Sequence, residues 1–325
     1  RRWRNALPDY PWCEPTQPSD PQKVQGAVRM STTSALPPNE FKSSLGRRRF
    51  VSSLFKNTCA VLSWLCIGIL GFLLVHIVSA GWEWVSFDFL KNPPSRMPEK
   101  AGLFSALMGT IWIIVTTAAI AIPVGVSSAL YLEEYAKKNR LNSFIEINIS
   151  NLAGVPSIVY GILGLTLFVR FMKLGPSVLS GALTLSLLIL PVIIIASREA
   201  IKAVPNSIRL SAFALGATRF QTVFHHVLPA AMPGIMTGVI LALSRAIGET
   251  APILMVGAVA YVSKAPHGIM DGFTALPIQI YNWAREAKVE FEGLAAGGII
   301  VLLLALFMMN SVAILIRNKT QKAQS

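Results

Sequence analysis

Pro229-Ala-Ala-Met-Pro-Gly-Ile-Met-Thr-Gly-Val-Ile-Leu-Ala-Leu-Ser-Arg245-Ala-Ile-Gly-Glu249-Thr-Ala-Pro-Ile-Leu-Met-Val-Gly-Ala-Val-Ala-Tyr-Val262 is a run of 34 residues whose only charges are Arg245 and Glu249. About 20 apolar residues cross the hydrocarbon core of a bilayer, so the run reads as a membrane helix. It is too long for one straight crossing. At about 1.5 Å per residue it would reach roughly 50 Å against a core of about 30 Å. Gly248 and Pro252 flank the acid and are the predicted break. A charge at the bilayer centre costs about 2.5–3.5 kcal/mol on insertion scales, so an ionisable pair there is expected to face a cavity or a partner. Their spacing of four puts both on one helix face. A guanidinium facing a membrane cavity is a natural ligand for an oxyanion.

The rest of the chain reads the same way. It is 53% apolar and 14% charged, with a mean hydropathy of +0.55. A soluble domain carries about a quarter charged residues. Apolar stretches at 58–80, 103–132, 147–169, 176–197, 229–262 and 294–316 predict an all-α, polytopic membrane protein with six transmembrane helices. Loop charge orients it. With the N-terminal tail inside, the inner segments hold 20 Lys and Arg and the outer ones 8. That bias predicts both termini in the cytoplasm. The net charge of +13 is therefore largely a topology signal, and no nucleic-acid partner is expected.

Residues 1–50 form a predicted disordered, proline-rich cytoplasmic tail ahead of a six-helix transmembrane domain at 51–325. The numbering begins at Arg1, and Met30 followed by Ser31, Thr32 and Thr33 would make an ordinary start. Residues 1–29 are accordingly expected to be an extension or a misassigned start, which the intact mass of the native protein would decide. Cys13, Cys59 and Cys66 show no disulfide or metal spacing. No His/Asp/Glu cluster and no activated Ser or Cys marks a catalytic or metal site.

Between the fourth and fifth stretches lies the connection 198–228. Gly216 interrupts an apolar helical pattern (Leu210, Phe213, Ala214), and a second pattern follows (Phe220, Val223, Phe224, Val227). This predicts a short helix–turn–helix with apolar surface for a protein partner. Pro229 suits the first turn of the next helix. The segment resembles the "EAA" loop of ABC importer permeases, whose pattern is E-A-A, three residues, G, nine residues, I-x-L-P. Ala212, Gly216, Leu228 and Pro229 fall on matching positions. Leu210, Ser211 and His226 stand where the family has Glu, Ala and Ile, so an ion-pair role at Leu210 is lost. In that family the loop is a coupling helix that docks on the ATPase subunit. The chain has no G-x-x-x-x-G-K-[ST] sequence, so ATP would be bound by a partner ATPase and no cofactor by this chain.

Three further stretches sharpen the resemblance: Gly154-Val-Pro-Ser-Ile-Val-Tyr-Gly161, Arg245-Ala-Ile-Gly-Glu-Thr-Ala-Pro252 and Ala275-Leu-Pro-Ile-Gln-Ile-Tyr-Asn-Trp-Ala284. Together they are similar to the permease of the phosphate-specific ABC importer, of PstA type. The resemblance implies the type I ABC importer permease fold in a bacterial inner membrane. It implies as partners a PstC-type second permease, two PstB-type ATPase subunits and a periplasmic PstS-type phosphate-binding protein.

Phosphate fits the residues. Arg245 offers a two-pronged donor to an oxyanion. Phosphate, with a second pKa of about 6, keeps a proton that it can donate to Glu249, whereas sulfate would be repelled. The alternative is that Glu249 only neutralises Arg245, although Arg before Glu is the less favoured order for a helical pair. Thr250 is a candidate hydroxyl at the anion site or a packing residue. Arg170 and Lys173 fall at the predicted outer mouth, as anion attractors or interfacial residues. Tyr160 would line the pathway or pack. His225 and His226 diverge on a helix and make a poor chelate. Ile280, Tyr281 and Trp283 suggest an outer segment lying in the membrane interface. Pro123, Pro156, Pro191 and Pro252 are candidate hinges. Two other functional classes stay open: a permease for another oxyanion such as sulfate or molybdate, and a secondary anion transporter driven by an ion gradient. Internal repeats would favour the latter, and none is evident.

Overall fold

The computed structural model describes residues 45–137, 139–258 and 264–322. Most of the expected tail lies outside them, as do residues 259–262 of the fifth apolar stretch. The chain divides into two units, Arg1–Ile67 and Gly68–Ser325. Helix α1 (Leu45–Gly81) starts within the expected tail, so Leu45 to Phe50 are helical. Beyond Asn57 its sequence holds no Lys, Arg, Asp or Glu and is apolar around its whole circumference, as a lipid-facing span requires.

Within the second unit, a short helix α2 (Phe87–Lys91) precedes α3 (Phe104–Leu130), which runs on through a wide i→i+5 turn at Tyr131–Tyr135. Then come α4 (Arg140–Ala153), α5 (Ser157–Gly164) with its own wide turn at Leu165–Phe171, and α6 (Val178–Lys202). A hairpin of α7 (Asn206–Ala214) and α8 (Arg219–Thr222) leads into α9 (Leu228–Gly248) and α10 (Ala251–Val256). Helices α11 (Leu276–Ala284) and α12 (Glu290–Lys322) complete the fold. Among the described residues, five helices are long and apolar enough to cross a membrane, and six if α4 and α5 count as one bent span. No strand occurs among the described residues.

The third apolar stretch is not a straight span. Its first part belongs to α4, which meets α5 at 101°. The bend falls at Gly154, Val155 and Pro156, because a proline disfavours the helical conformation before it and cannot donate to the preceding turn. The Tyr160 hydroxyl donates to the Leu152 carbonyl at 2.9 Å across this break. Pro123 and Pro191 behave differently and lie inside continuous helices.

Helix α6 is the hub. Two thirds of its most apolar window is buried, against 11% for α12. It packs on α3 and α9 by close approach of small residues. Gly234 and Gly238 of α9 face Ala200 and Ala196 of α6, and a Cβ on Gly234 would lie 2.7 Å from the Ala200 Cβ. Small residues at i and i+4 let two membrane helices touch backbone to backbone, which gains dispersion contacts where no hydrophobic drive exists. Ser186 of α6 adds a bond to the Thr117 carbonyl of α3 at 3.4 Å. At the other side of α9, Ser244 donates to Asn310 of α12 at 2.6 Å.

A second apolar cluster lies where α2, α11 and the start of α12 meet. Trp283 is buried there and stacks on Phe89 at 5.7 Å between centroids. Trp283 is thus a core residue, while Tyr281 on the same helix is exposed, so the segment expected at the interface turns one aromatic inward and one outward.

Candidate functional site

Arg245 stands in the last turn of α9, and Glu249 is the extended residue that ends it. The helix stops at Gly248 and resumes at Ala251 with Pro252 in its first turn, so the predicted break is present. Arg245 Nε donates to Glu249 Oε1 at 3.2 Å. The arginine side chain is 46% exposed and the glutamate 16%. The pair thus sits at this chain's own surface and turns its cation outward. Thr250 is half-buried beside it as the residue preceding α10, and its side chain caps no amide of that helix.

The fold brings a second sequence motif to this place. Gly161 of α5 abuts α10: an added Cβ would meet the Pro252 Cα at 2.8 Å and the Met255 Cβ at 2.9 Å. Gly164 packs in the same way on Thr184 of α6. Tyr160 is buried, and its hydroxyl is held to the Leu152 carbonyl. Two interrupted spans, each broken at a Gly and Pro pair, therefore lie side by side with Arg245 and Glu249 at their junction. Broken helices at membrane depth free backbone groups, which persist only when buried in protein or lining a watery cavity. Arg170 and Lys173 are both exposed beyond α5, and Lys173 takes a left-handed φ of 55°. Among the described residues, neither shares a hydrogen bond or ion pair with Arg245.

The 198–228 connection forms the predicted hairpin. Gly216 turns with φ +83°, a conformation that costs other residues about 1–2 kcal/mol. Thr218 caps α8 reciprocally with Gln221. Ala212 is buried, Leu228 opens α9 and Pro229 lies in its first turn. Leu210, Phe213, Leu215, Phe220 and Phe224 are exposed, with the Phe220 and Phe224 rings 4.4 Å apart. The second apolar face divides in a way the sequence pattern did not resolve: Val223 and Val227 point into the core, whereas Phe220 and Phe224 face out. The wide turn at Val223–Val227 changes the angular step between residues and separates the two pairs. His225 and His226 are exposed.

Sequence reasoning missed a knot of ion pairs at the hairpin end of the bundle. Arg209 of α7 holds Glu134, which closes α3, with Nη2 at 2.7 Å and Nε at 3.0 Å from Oε1. Arg198 of α6 reaches Glu133 at 3.3 Å and Glu146 of α4 at 3.0 Å. Arg219 donates to the Glu134 carbonyl and lies 5.3 Å over the Tyr135 ring. The paired acids Glu133 and Glu134 immediately after an apolar run were the available signal.

The chain matches the family model described as binding-protein-dependent transport system inner membrane component over residues 121–321. It is 32% identical over 252 residues to the phosphate transport system permease protein PstA 1 of Mycobacterium tuberculosis, covering 75% of this chain and 81% of that one. It is 29% identical over 277 residues to the probable ABC transporter permease protein YqgI of Bacillus subtilis, covering 82% and 93%. A chain of the bacterial alginate ABC transporter, solved with an alginate-bound periplasmic protein, superposes with a TM-score of 0.57 at 14% identity, over 80% of this chain and 94% of that one. That likeness is one of fold, and the fold is the type I ABC importer permease. The matched region holds the Gly216 hairpin, both broken spans and the Arg245–Glu249 pair. The protein is therefore a multi-pass membrane permease that does no catalysis itself, and it belongs to the family of inner membrane components of binding-protein-dependent transport systems.

Proposed function

We propose that this chain is the PstA-type permease subunit of an ATP-driven phosphate importer. Family membership implies an ATPase, a substrate-binding protein and a second permease as partners. The finer reading is a PstC-type permease, two PstB-type ATPases and a PstS-type phosphate-binding protein. It is supported by relatives that carry the phosphate-transport name at about this identity over most of their length. Both termini face the cytoplasm in this reading, supported by the excess of Lys and Arg on that side.

The observation that carries the reading is the half-exposed guanidinium at the junction of two broken spans. One chain supplies a wall rather than a closed tunnel, so the pathway closes against the second permease. Phosphate delivered from the outer face meets Arg245. Its remaining proton is accepted by Glu249, which must first loosen the 3.2 Å contact that neutralises the arginine at rest. Thr250 lies within the same turn to add a hydroxyl. Arg170 and Lys173 raise the local anion concentration at the outer mouth. ATP bound by the partner ATPases moves the hairpin at Ala212 and Gly216, and Leu228 and Pro229 pass that motion into α9. The test is uptake of radiolabelled phosphate by the four-component complex in proteoliposomes. ATP-dependent uptake that competing sulfate does not reduce, and that Arg245→Ala abolishes, is expected. Uptake driven by an ion gradient without the ATPase would overturn the reading, as would equal competition by sulfate.

A further inference from the structure

We propose that Arg209 is a positioning residue that locks the cytoplasmic hairpin to the end of α3, so that the motor drives α3, α6 and α9 as one body. The inference rests on the proposed ATP-driven transport but not on phosphate as the cargo.

The hairpin is joined covalently to α6 and α9 alone. Helix α3 and the turn that carries Glu134, 75 positions before Arg209, would be free to lag behind. Arg209 removes that freedom. A guanidinium has five N–H donors, and all five are engaged here. Nε and one Nη2 proton go to Glu134 Oε1. The second Nη2 proton goes to the Ile201 carbonyl at 3.0 Å, at the end of α6. The Nη1 protons go to the Val204 carbonyl at 2.7 Å and Asn206 Oδ1 at 3.3 Å. One side chain on the hairpin's first arm therefore ties the ends of α3 and α6 together. The second arm is tied to the same turn, because Arg219 donates to the Glu134 carbonyl and covers Tyr135.

The local backbone of α3 makes this possible. The turn at Tyr131–Tyr135 closes with an i→i+5 bond from the Ala136 amide to the Tyr131 carbonyl at 2.8 Å. Such a turn changes where successive side chains point. Glu133 reaches Arg198, while Glu134 turns inward to Arg209. Glu134 is buried, and a buried carboxylate left without its cation is strongly unfavourable, so the pair resists being pulled apart during motion. The hairpin also carries the exposed Leu210, Phe213 and Leu215. Phe213 lies one helical turn on from Arg209, so the partner surface and the lock sit on the same short arm and a push on one is felt at the other.

The test uses the complete importer complex in proteoliposomes, with a spin-label pair at Tyr131 and Ser207 in a cysteine-free background. Both positions are exposed and outside the proposed docking face. In the wild type the Tyr131–Ser207 distance is expected to stay narrow and unchanged between the nucleotide-free and ATP-trapped states. In Arg209→Ala the distribution broadens. ATP hydrolysis stays within about twofold of wild type while substrate transport falls about tenfold or more, which is a loss of coupling. Arg209→Lys, which keeps one charged donor, recovers part of the transport. A wild-type distance that shifts with ATP would overturn the proposal. So would an Arg209→Ala complex whose distance and hydrolysis-to-transport ratio match wild type, or in which hydrolysis and transport fall in proportion. If phosphate is not the cargo, phosphate uptake fails in the wild type while the distance behaviour stands, so the two failures are distinguishable.

Discussion

Arg245 is the residue on which the transport reading turns, and its chemistry gives two measurable outcomes. Arg245→Lys keeps the charge and loses the planar fork, so phosphate uptake should fall about tenfold or more, the equivalent of about 1.4 kcal/mol or above. Glu249→Gln keeps the size and an acceptor oxygen but removes the negative charge that repels sulfate and strengthens the bond from phosphate's proton. Phosphate uptake should persist at a reduced rate while sulfate becomes an effective competitor, measured with both ions labelled in proteoliposomes. Wild-type rate and selectivity in both variants would remove these residues from the pathway. At this scale Arg245 and Glu249 were legible in the sequence because a charge in a 34-residue apolar run is costly and stands out. Arg209 was not legible. It sits in a polar loop among other cations, and only its five-bond environment separates it from an ordinary surface arginine.

Among the elements, close packing of small residues sets where the helices lie. Gly238→Val would force a branched side chain against Ala196 of α6, with no flexible neighbour to yield. Overpacking of this kind costs about 1–3 kcal/mol and should lower the melting temperature of the purified protein in detergent. Gly298→Val is a control of a different kind, since its neighbour is the movable end of Ile280, and a smaller loss is expected. Gly216→Val acts through φ rather than space, because nothing lies within reach of a Cβ there. It should cost about 1–2 kcal/mol of local strain and reduce coupled transport without changing the melting temperature much. The break in the fifth span was readable from Gly248 and Pro252. In the third, Pro156 marked a candidate hinge, but the 101° size of the bend was not readable, because hydropathy counts apolar residues along the chain and carries no direction. For the same reason the burial of Trp283 beside Phe89 could not be read from the segment's composition.

For the whole molecule, the exposed apolar face of the hairpin is the surface that needs an occupant. Replacing Phe213 and Phe220 together by Ser should leave the permease folded, since both are exposed, and should abolish co-purification of the ATPase. Retention of the ATPase at wild-type yield would move the docking site elsewhere. The sequence by itself determined the all-helical membrane architecture, the family, the charged pair within the fifth apolar stretch and the turn at Gly216. Each of these rests on local properties: hydropathy summed over about 20 residues, the cost of a charge in lipid, and the backbone freedom of glycine. Only the tertiary structure decided that the 154–161 and 245–252 motifs share one junction, that Val223 and Phe224 part company, and that Glu134 answers Arg209 from 75 positions away. Those outcomes depend on how whole helices approach and rotate about one another, which is set by shape and by pairing across long stretches of chain rather than by any local pattern.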